Sequence, residues 1–180
     1  MFSAAILNGG AATRFGGRDK SALVVDGRTI RDRQVAELSR VTTEILVVTR
    51  DIVPGCGPLG GLHTALTDAQ GDAVFVVACD MPFIEAPFVE YLLDLTREAE
   101  VVVPRTERGY HPLCAAYTRG CLPAVTRRLA QRQLKMADLF ADVRTRVVTS
   151  EEIDRFGDRN RLLANVNTQA EYTDIQTHKV

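Results

Sequence analysis

The sequence predicts a single α/β domain, a mostly parallel sheet covered by helices on both faces with one antiparallel strand inserted in its second half. Three observations lead there. From Phe2 to Pro104, short apolar runs alternate with segments whose apolar residues recur at helical spacing, an alternation that requires crossover helices and therefore parallel strands. The runs Phe2–Leu7 and Ala73–Ala78 are almost wholly apolar, as suits strands buried on both faces. The length, 180 residues with 46% hydrophobic and 25% charged, suffices for one domain around one sizeable core.

Phe2–Leu7 is the first strand, and it opens into a glycine-rich loop. Leu23-Val24-Val25 followed by Asp26-Gly27 reads as a brief strand ending in a turn. Thr29 is placed to cap a helix reaching about Arg40, with Ile30, Val35 and Leu38 inward; residues 45–49 form the next core strand. Residues 50–58 hold two prolines and two glycines and form a loop. Leu59, Leu62, Leu66 and Ala69 then mark a helix beginning just after Gly57-Pro58, whose N-terminal amides point back toward the loops. Ala73–Ala78 ends in Cys79-Asp80-Met81-Pro82. Phe88, Leu92 and Leu95 mark the next helix, and residues 101–104 the next strand. Residues 105–112 form a polar turn into a strand over 113–117, the antiparallel insertion. A helix follows over about 119–132, with Leu122, Val125 and Leu129 inward, then an amphipathic piece over 136–140 and a strand over 146–149. Thr168 and Glu171 make a capping box for a last helix.

Composition excludes several classes of function. A net charge of −1 gives no global attraction to nucleic acid or to an anionic membrane, so affinity for phosphate must come from local arrangement. The longest apolar runs fall far short of the roughly 20 residues of a membrane span, and Met1-Phe2-Ser3 lacks the charged start of a signal peptide. Cys56, Cys79, Cys114 and Cys121 show no C-x-x-C spacing, which argues against structural zinc and for reduced cytoplasmic thiols.

The stretch from Ile6 to Lys20 carries the strongest chemical signal. An apolar strand that stops at Gly9-Gly10 lets backbone amides approach a ligand with no Cβ in the way, and Arg14 and Lys20 add positive charge; polyphosphate suits such a loop. Its spacing is that of neither a P-loop nor a dinucleotide fingerprint. What remains is Leu-x-Gly-Gly-x-x-x-Arg-x-Gly-x-x-x-Lys. A glycine-rich turn with solvated cations is the plainer alternative.

Asp80 directly follows a buried strand, where a hard cation bridging phosphate oxygens would want an oxygen ligand; it equally suits a simple turn cap. The glycine loop, the 50–58 loop and Asp80 all follow strands and so meet at one rim. His111, in Gly109-Tyr110-His111-Pro112, lies in a turn beside that rim, whereas His63 and His178 read as structural or solvated. Asn165 and Asn167 flank a valine, so in an extended segment they project to one face and can donate two amide contacts to one anion; a pair of turn asparagines fits as well. There is no Ser-His-Asp or Cys-His pairing at suggestive spacing, consistent with a transfer that needs no covalent nucleophile.

Leu7-Asn8-Gly9-Gly10 through Lys20, Gly57-Pro58-Leu59-Gly60-Gly61, Cys79-Asp80-Met81-Pro82, His111-Pro112 and Asn165-Val166-Asn167-Thr168 occur in the order found in molybdenum cofactor guanylyltransferases of the MobA type, which the chain resembles over nearly its whole length. The first loop alone is shared with many nucleotidyltransferases. The resemblance implies a Rossmann-like three-layer α/β/α nucleotidyltransferase fold and Mg2+-dependent transfer of GMP from GTP to molybdenum-loaded molybdopterin in the cytoplasm. It implies that Leu7, Asn8, Gly9, Gly10, Lys20 and Asp51 hold GTP and that Asp80 ligates Mg2+; in such a transfer negative charge grows on the leaving pyrophosphate, and the fixed cations Lys20 and Arg14, with Asp80 and its metal, would support catalysis by stabilising it. His111, Asn165 and Asn167 then belong to the molybdopterin side, giving a nucleotide-binding half over 1–104 and an acceptor-binding half over 105–180. Transient contact with proteins of molybdenum cofactor biosynthesis or with molybdoenzymes follows from the same resemblance.

Paired glycines in the loop resemble the GTP-using enzymes, since related cytidylyltransferases tend to carry alanine before a single glycine. One departure stands out. Where the family usually makes an excursion of about a dozen residues between the counterparts of Val48 and Asp51, this chain has almost nothing, and Thr49 stands where members often carry a base-binding asparagine. A relative using CTP or another acceptor, and a catalytically weak homologue that binds nucleotide or cofactor, are the alternative expectations.

Overall fold

A computed structural model describes residues 1–8, 20–166 and 171–173. In chain order these form β1 (Phe2–Leu7), β2 (Val24–Val25), β3 (Arg28–Thr29), α1 (Ile30–Leu38), β4 (Ile45–Val48), α2 (Gly57–Asp68), β5 (Ala73–Ala78), α3 (Ala86–Asp94), β6 (Val101–Thr106), β7 (Gly109–Tyr110), β8 (Cys114–Thr118), α4 (Leu122–Ala130), β9 (Thr145–Val148), α5 (Ser150–Ile153) and α6 (Arg159–Leu162), with short 3-10 turns between several of them. The main sheet of the described residues has seven strands in the order β4-β1-β5-β8-β6-β7, and β9 pairs with β6. β1 pairs in parallel with β4 and β5, and β6 in parallel with β9. β8 runs antiparallel between β5 and β6, as the sequence predicts for residues 113–117.

Alternation along the central strands divides the core. Ala4, Ile6, Phe75 and Val77 face one side and pack with Phe88 and Leu92 of α3; Ala5, Val74 and Val76 face the other and pack with Leu59 and Leu62 of α2 and Val125 of α4. Each large apolar side chain buried this way contributes about 1.5–3 kcal/mol. Both faces of β5 are fully buried, which explains why its sequence shows no polar alternation.

Local sequence sets the ends. Asp26 and Gly27 both have positive φ (51° and 79°), the two-residue turn that joins β2 to β3. Thr29 caps α1, its hydroxyl accepting from the Asp32 amide at 3.0 Å. α2 opens on Gly57 at φ 57° with Pro58 in the first turn.

Four expectations need adjustment. The buried face of α1 includes Gln34 beside Ile30 and Leu38, and Val35 packs against the core only partly buried. α3 stops at Asp94, and Leu95 begins a 3-10 turn. The segment over 119–132 is a 3-10 turn, Arg119–Cys121, followed by a shorter α4, because Pro123 in the first turn cannot extend an α-helix toward the N-terminus. The polar turn over 105–112 is partly strand: β6 runs to Thr106 and pairs with β7 through Arg105 opposite Tyr110 and Thr106 opposite Gly109. Thr168 of the expected capping box lies outside the described residues.

Candidate active site

The parallel strands end at one rim, and backbone bonds tie their exits together. The Asn8 amide donates to the Val48 carbonyl at 2.9 Å, and the Cys79 amide donates to the Leu7 carbonyl at 3.1 Å. The chain therefore leaves β1, β4 and β5 as one stitched edge. Asp80 stands just beyond β5, on a turn closed by the Met81 amide to the Ala78 carbonyl at 3.3 Å.

Asp80 is buried, 9% exposed, and its Oδ2 lies 3.4 Å from Nζ of Lys20, which begins the 3-10 turn Lys20–Ala22. Burial pushes the Asp80 carboxyl above its ordinary range; Lys20 opposes that rise and the Glu171 carboxylate adds to it. Its Oδ1 is buried with no hydrogen-bond partner among the described residues. A buried, unsatisfied carboxylate oxygen beside a lysine is what a hard divalent cation would complete, so Asp80 fits the role of metal ligand. No three His, Cys, Asp or Glu side chains gather into a cage among the described residues. Mg2+ ordinarily takes one or two carboxylates and leaves the remaining positions to phosphate and water.

Asp51 occupies the neighbouring corner. A Cβ added at Gly60 would fall 3.0 Å from Asp51 Oδ2, and one added at Gly61 would fall 3.7 Å from Asp51 Oδ1 and 3.1 Å from Leu7 Cδ1. The paired glycines thus let the first turn of α2, the Asp51 carboxylate and the end of β1 close on one another. The Ile52 amide donates to Thr64 Oγ1 at 2.9 Å, which holds the incoming loop against α2. Burial pushes the Asp51 carboxyl upward.

His111 reaches the same edge from the second half of the chain. The Ala78 amide donates to the Leu113 carbonyl at 2.9 Å, and Asp80 and His111 each lie three residues beyond the paired Val77 and Cys114. The His111 amide donates to the Pro104 carbonyl, and its Nε2 lies 2.9 Å from Thr106 Oγ1. Burial, reinforced by Arg108 and opposed by Glu107, lowers the imidazole pKa, so the ring is neutral near pH 7. Asn165 is exposed, and the next residue, Val166, is fully buried and donates its amide to the Asp80 carbonyl at 2.8 Å. Gly9, Gly10, Arg14 and Asn167 lie outside the described residues.

Sequence reasoning missed two residues that reach this edge. Gln34 donates to the carbonyls of Ala78 and Met81, and Arg31 donates from its Nη2 to the buried Ser21 hydroxyl at 2.7 Å, beside Lys20. Gln34 was findable: it lies four residues after Ile30 and four before Leu38, a polar side chain on a core stripe. The four cysteines are free thiols, and burial raises those of Cys114 and Cys121 to about 12, which leaves them inert. No helix among the described residues is long and apolar enough to cross a membrane.

A three-layer α/β fold whose carboxyl rim sets Lys20 against the buried Asp80 is that of a nucleotidyltransferase of Rossmann-like fold. Residues 4–147 match the MobA-like NTP transferase domain, and the chain belongs to that family. A probable molybdenum cofactor guanylyltransferase of Pelotomaculum thermopropionicum is 33% identical over 92% of this chain and 87% of its own length. Another, of Carboxydothermus hydrogenoformans, is 31% identical over 95% of this chain and 93% of its own. Among solved structures, molybdopterin-guanine dinucleotide biosynthesis protein A from Archaeoglobus fulgidus shares the fold with a TM-score of 0.77 at 21% identity, covering 98% of this chain and 97% of its own. The 2-C-methyl-D-erythritol 4-phosphate cytidylyltransferase of Thermus thermophilus also shares it, with a TM-score of 0.69 at 16% identity over 98% of both chains.

Proposed function

We propose that this chain transfers GMP from GTP to molybdenum-loaded molybdopterin, forming the guanine dinucleotide cofactor and releasing pyrophosphate. The observation that carries the reading is the Lys20–Asp80 pair at the strand rim, with Asp80 Oδ1 buried and unsatisfied. In the reaction an oxygen of the acceptor's terminal phosphate forms a bond to the α-phosphorus as the bond from that phosphorus to the β-phosphate oxygen breaks. Negative charge grows on the departing pyrophosphate, so fixed positive charge accelerates the step.

Each residue has a role in that scheme. The backbone from Leu7 through Asn8 and Gly9 to Gly10 approaches the triphosphate, Lys20 and Arg14 offset its charge, and Asp51 accepts hydrogen bonds from the nucleotide. Asp80 would hold Mg2+, which when bound screens the phosphate oxygens and draws charge from the leaving group. Neutral His111, with Asn165 and Asn167, serves the molybdopterin phosphate, so that residues 1–104 act as the nucleotide half and 105–180 as the acceptor half of one domain. Proteins that make or receive the molybdenum cofactor are the fitting macromolecular partners; a net charge of −1 disfavours nucleic acid.

Choice of base is the sharpest test. The chain passes from Val48 at the end of β4 to Asp51 through Thr49 and Arg50 alone, so contacts to guanine must come from the nearby loops. Purified protein is incubated with Mg2+, molybdopterin and GTP, CTP or ATP in turn, and the product is identified by mass. The guanine dinucleotide with pyrophosphate released is expected, and Asp80→Ala should abolish release. Preference for CTP would overturn the guanylyl assignment, and binding without turnover would leave only a carrier role.

A further inference from the structure

We propose that Gln34 is a positioning residue for Asp80, holding the turn that presents the carboxylate to the divalent cation; this rests on the role given to Asp80 above. Gln34 is completely buried in the middle of α1, and its Nε2 donates to the Ala78 carbonyl at 2.8 Å and the Met81 carbonyl at 3.0 Å. One amide group therefore spans the turn that contains Cys79 and Asp80. Because both acceptors are carbonyl oxygens, the nitrogen of the amide must face them.

The surrounding bonds show how completely this turn is fixed. The Cys79 amide is held by Leu7, the Asp80 carbonyl accepts from Val166, and the Pro82 carbonyl accepts from Arg33 Nε at 3.0 Å. Within that frame the backbone is immobilised on both sides of Asp80, while the carboxylate Oδ1 is without a partner among the described residues. The arrangement suits a ligand that must be aimed before the cation arrives.

Gln34 also bears a cost that packing alone does not explain. Its Oε1 is buried with no hydrogen-bond partner among the described residues. Leucine or methionine would fill the same place between Ile30 and Leu38 without the unsatisfied Oε1, but would take the side-chain donor away from the Ala78 and Met81 carbonyls. The amide's value at this position lies in its two donors.

Gln34→Met is the informative variant, since it keeps the length of the side chain, removes both donors and also removes the unsatisfied oxygen. Thermal melting should stay within a few degrees of the parent, while binding of Mn2+ in the presence of GTP, followed by electron paramagnetic resonance, weakens by about tenfold. With excess metal, KM for GTP should be unchanged and kcat reduced by about tenfold. Asp80→Asn is titrated in parallel. If Asp80→Asn binds Mn2+ as the parent does, the assignment of Asp80 fails; if Asp80→Asn loses the metal but Gln34→Met binds it normally, Gln34 fails alone. Should Gln34→Met not fold, the wild-type Gln34 side-chain amide is followed by NMR during titration with Mg2+ and GTP. A saturable shift absent from Asp80→Asn is expected, and a signal that does not move would overturn the proposal.

Discussion

Gly60→Ala tests whether the closeness of Asp51 to α2 serves nucleotide binding. The added Cβ would lie 3.0 Å from Asp51 Oδ2 and 3.1 Å from both Cys56 Cβ and the Val53 carbonyl. Comfortable separation requires the carboxylate to retreat by about half an ångström. Alanine inside a helix is favoured over glycine by about 0.5–1 kcal/mol, which offsets a displacement cost of similar size. Net stability should therefore change by less than about 1 kcal/mol, a shift in melting temperature of roughly 2–4 °C at most for a chain of this length. A nucleotide contact made by Asp51 would be more sensitive. Complete loss of a hydrogen bond to a charged group costs about 1.5–3 kcal/mol, roughly 10- to 150-fold in affinity, and a half-ångström displacement forfeits part of it. KM for GTP should rise about 3- to 30-fold with kcat little changed, as expected when ground state and transition state lose the same contact. Initial rates of pyrophosphate release at saturating acceptor measure this, with Asp51→Asn as the reference for full loss. A variant with unchanged KM, together with an unchanged Asp51→Asn, would remove Asp51 from the nucleotide site.

Two further outcomes are expected from the geometry. Lys20→Met should lower kcat/KM for GTP by about 100-fold or more, with effects on both KM and kcat, because the ammonium would stabilise bound triphosphate and departing pyrophosphate alike; unchanged kinetics would exclude Lys20 from the site. Away from the site, burial would push the Glu152 carboxyl up, but bonds from the Thr149 amide, the Tyr91 hydroxyl and Arg146 hold it down at about 2 against an ordinary 4.5. A carboxylate whose folded pKa is depressed stabilises the fold above the unfolded value, so this contribution is full above pH 4.5 and fades as pH falls toward 2. With the side chain 19% exposed, solvent screening limits it to about 1–3 kcal/mol. The gap in melting temperature between wild type and Glu152→Gln should narrow through that window, and a constant gap would contradict it.

How much of this could be read from sequence depended on whether the deciding interaction was local. β1 and β5 were legible because strands buried on both faces announce themselves as unbroken apolar runs. Asp80 was legible for the same reason, as the first carboxylate beyond such a run. β7 was not, because Arg105, Thr106, Glu107 and Arg108 are polar and the hairpin they join is held by backbone pairing, which leaves no trace in side-chain pattern. Val35 packs against the core as its hydrophobicity suggests, but the fully buried place between Ile30 and Leu38 belongs to Gln34, whose carbonyl partners in the Ala78–Met81 turn no local pattern names. The approach of Asp51 to Gly60 joins a loop to a helix across the end of the sheet; the glycines flagged a close approach without saying to what.

The direction of β8 decides which segments can meet at the rim. β1, β4, β5, β6 and β9 run the same way, so Asn8, Asp51 and Asp80, which follow β1, β4 and β5, all lie beyond carboxyl ends at one rim. A sixth parallel strand in the place of β8 would have brought its own end, Thr118 and Arg119, to that edge. Because β8 is antiparallel, its beginning lies there instead, and the residues that precede it, His111 and Pro112, come in at the same rim. The segment ending at Val166 arrives by an independent route and bonds the Asp80 carbonyl directly. Two segments from the second half of the chain are thus tied by backbone bonds to the turn that carries Asp80, one at Ala78 through the Leu113 carbonyl and one at Asp80 itself through the Val166 amide.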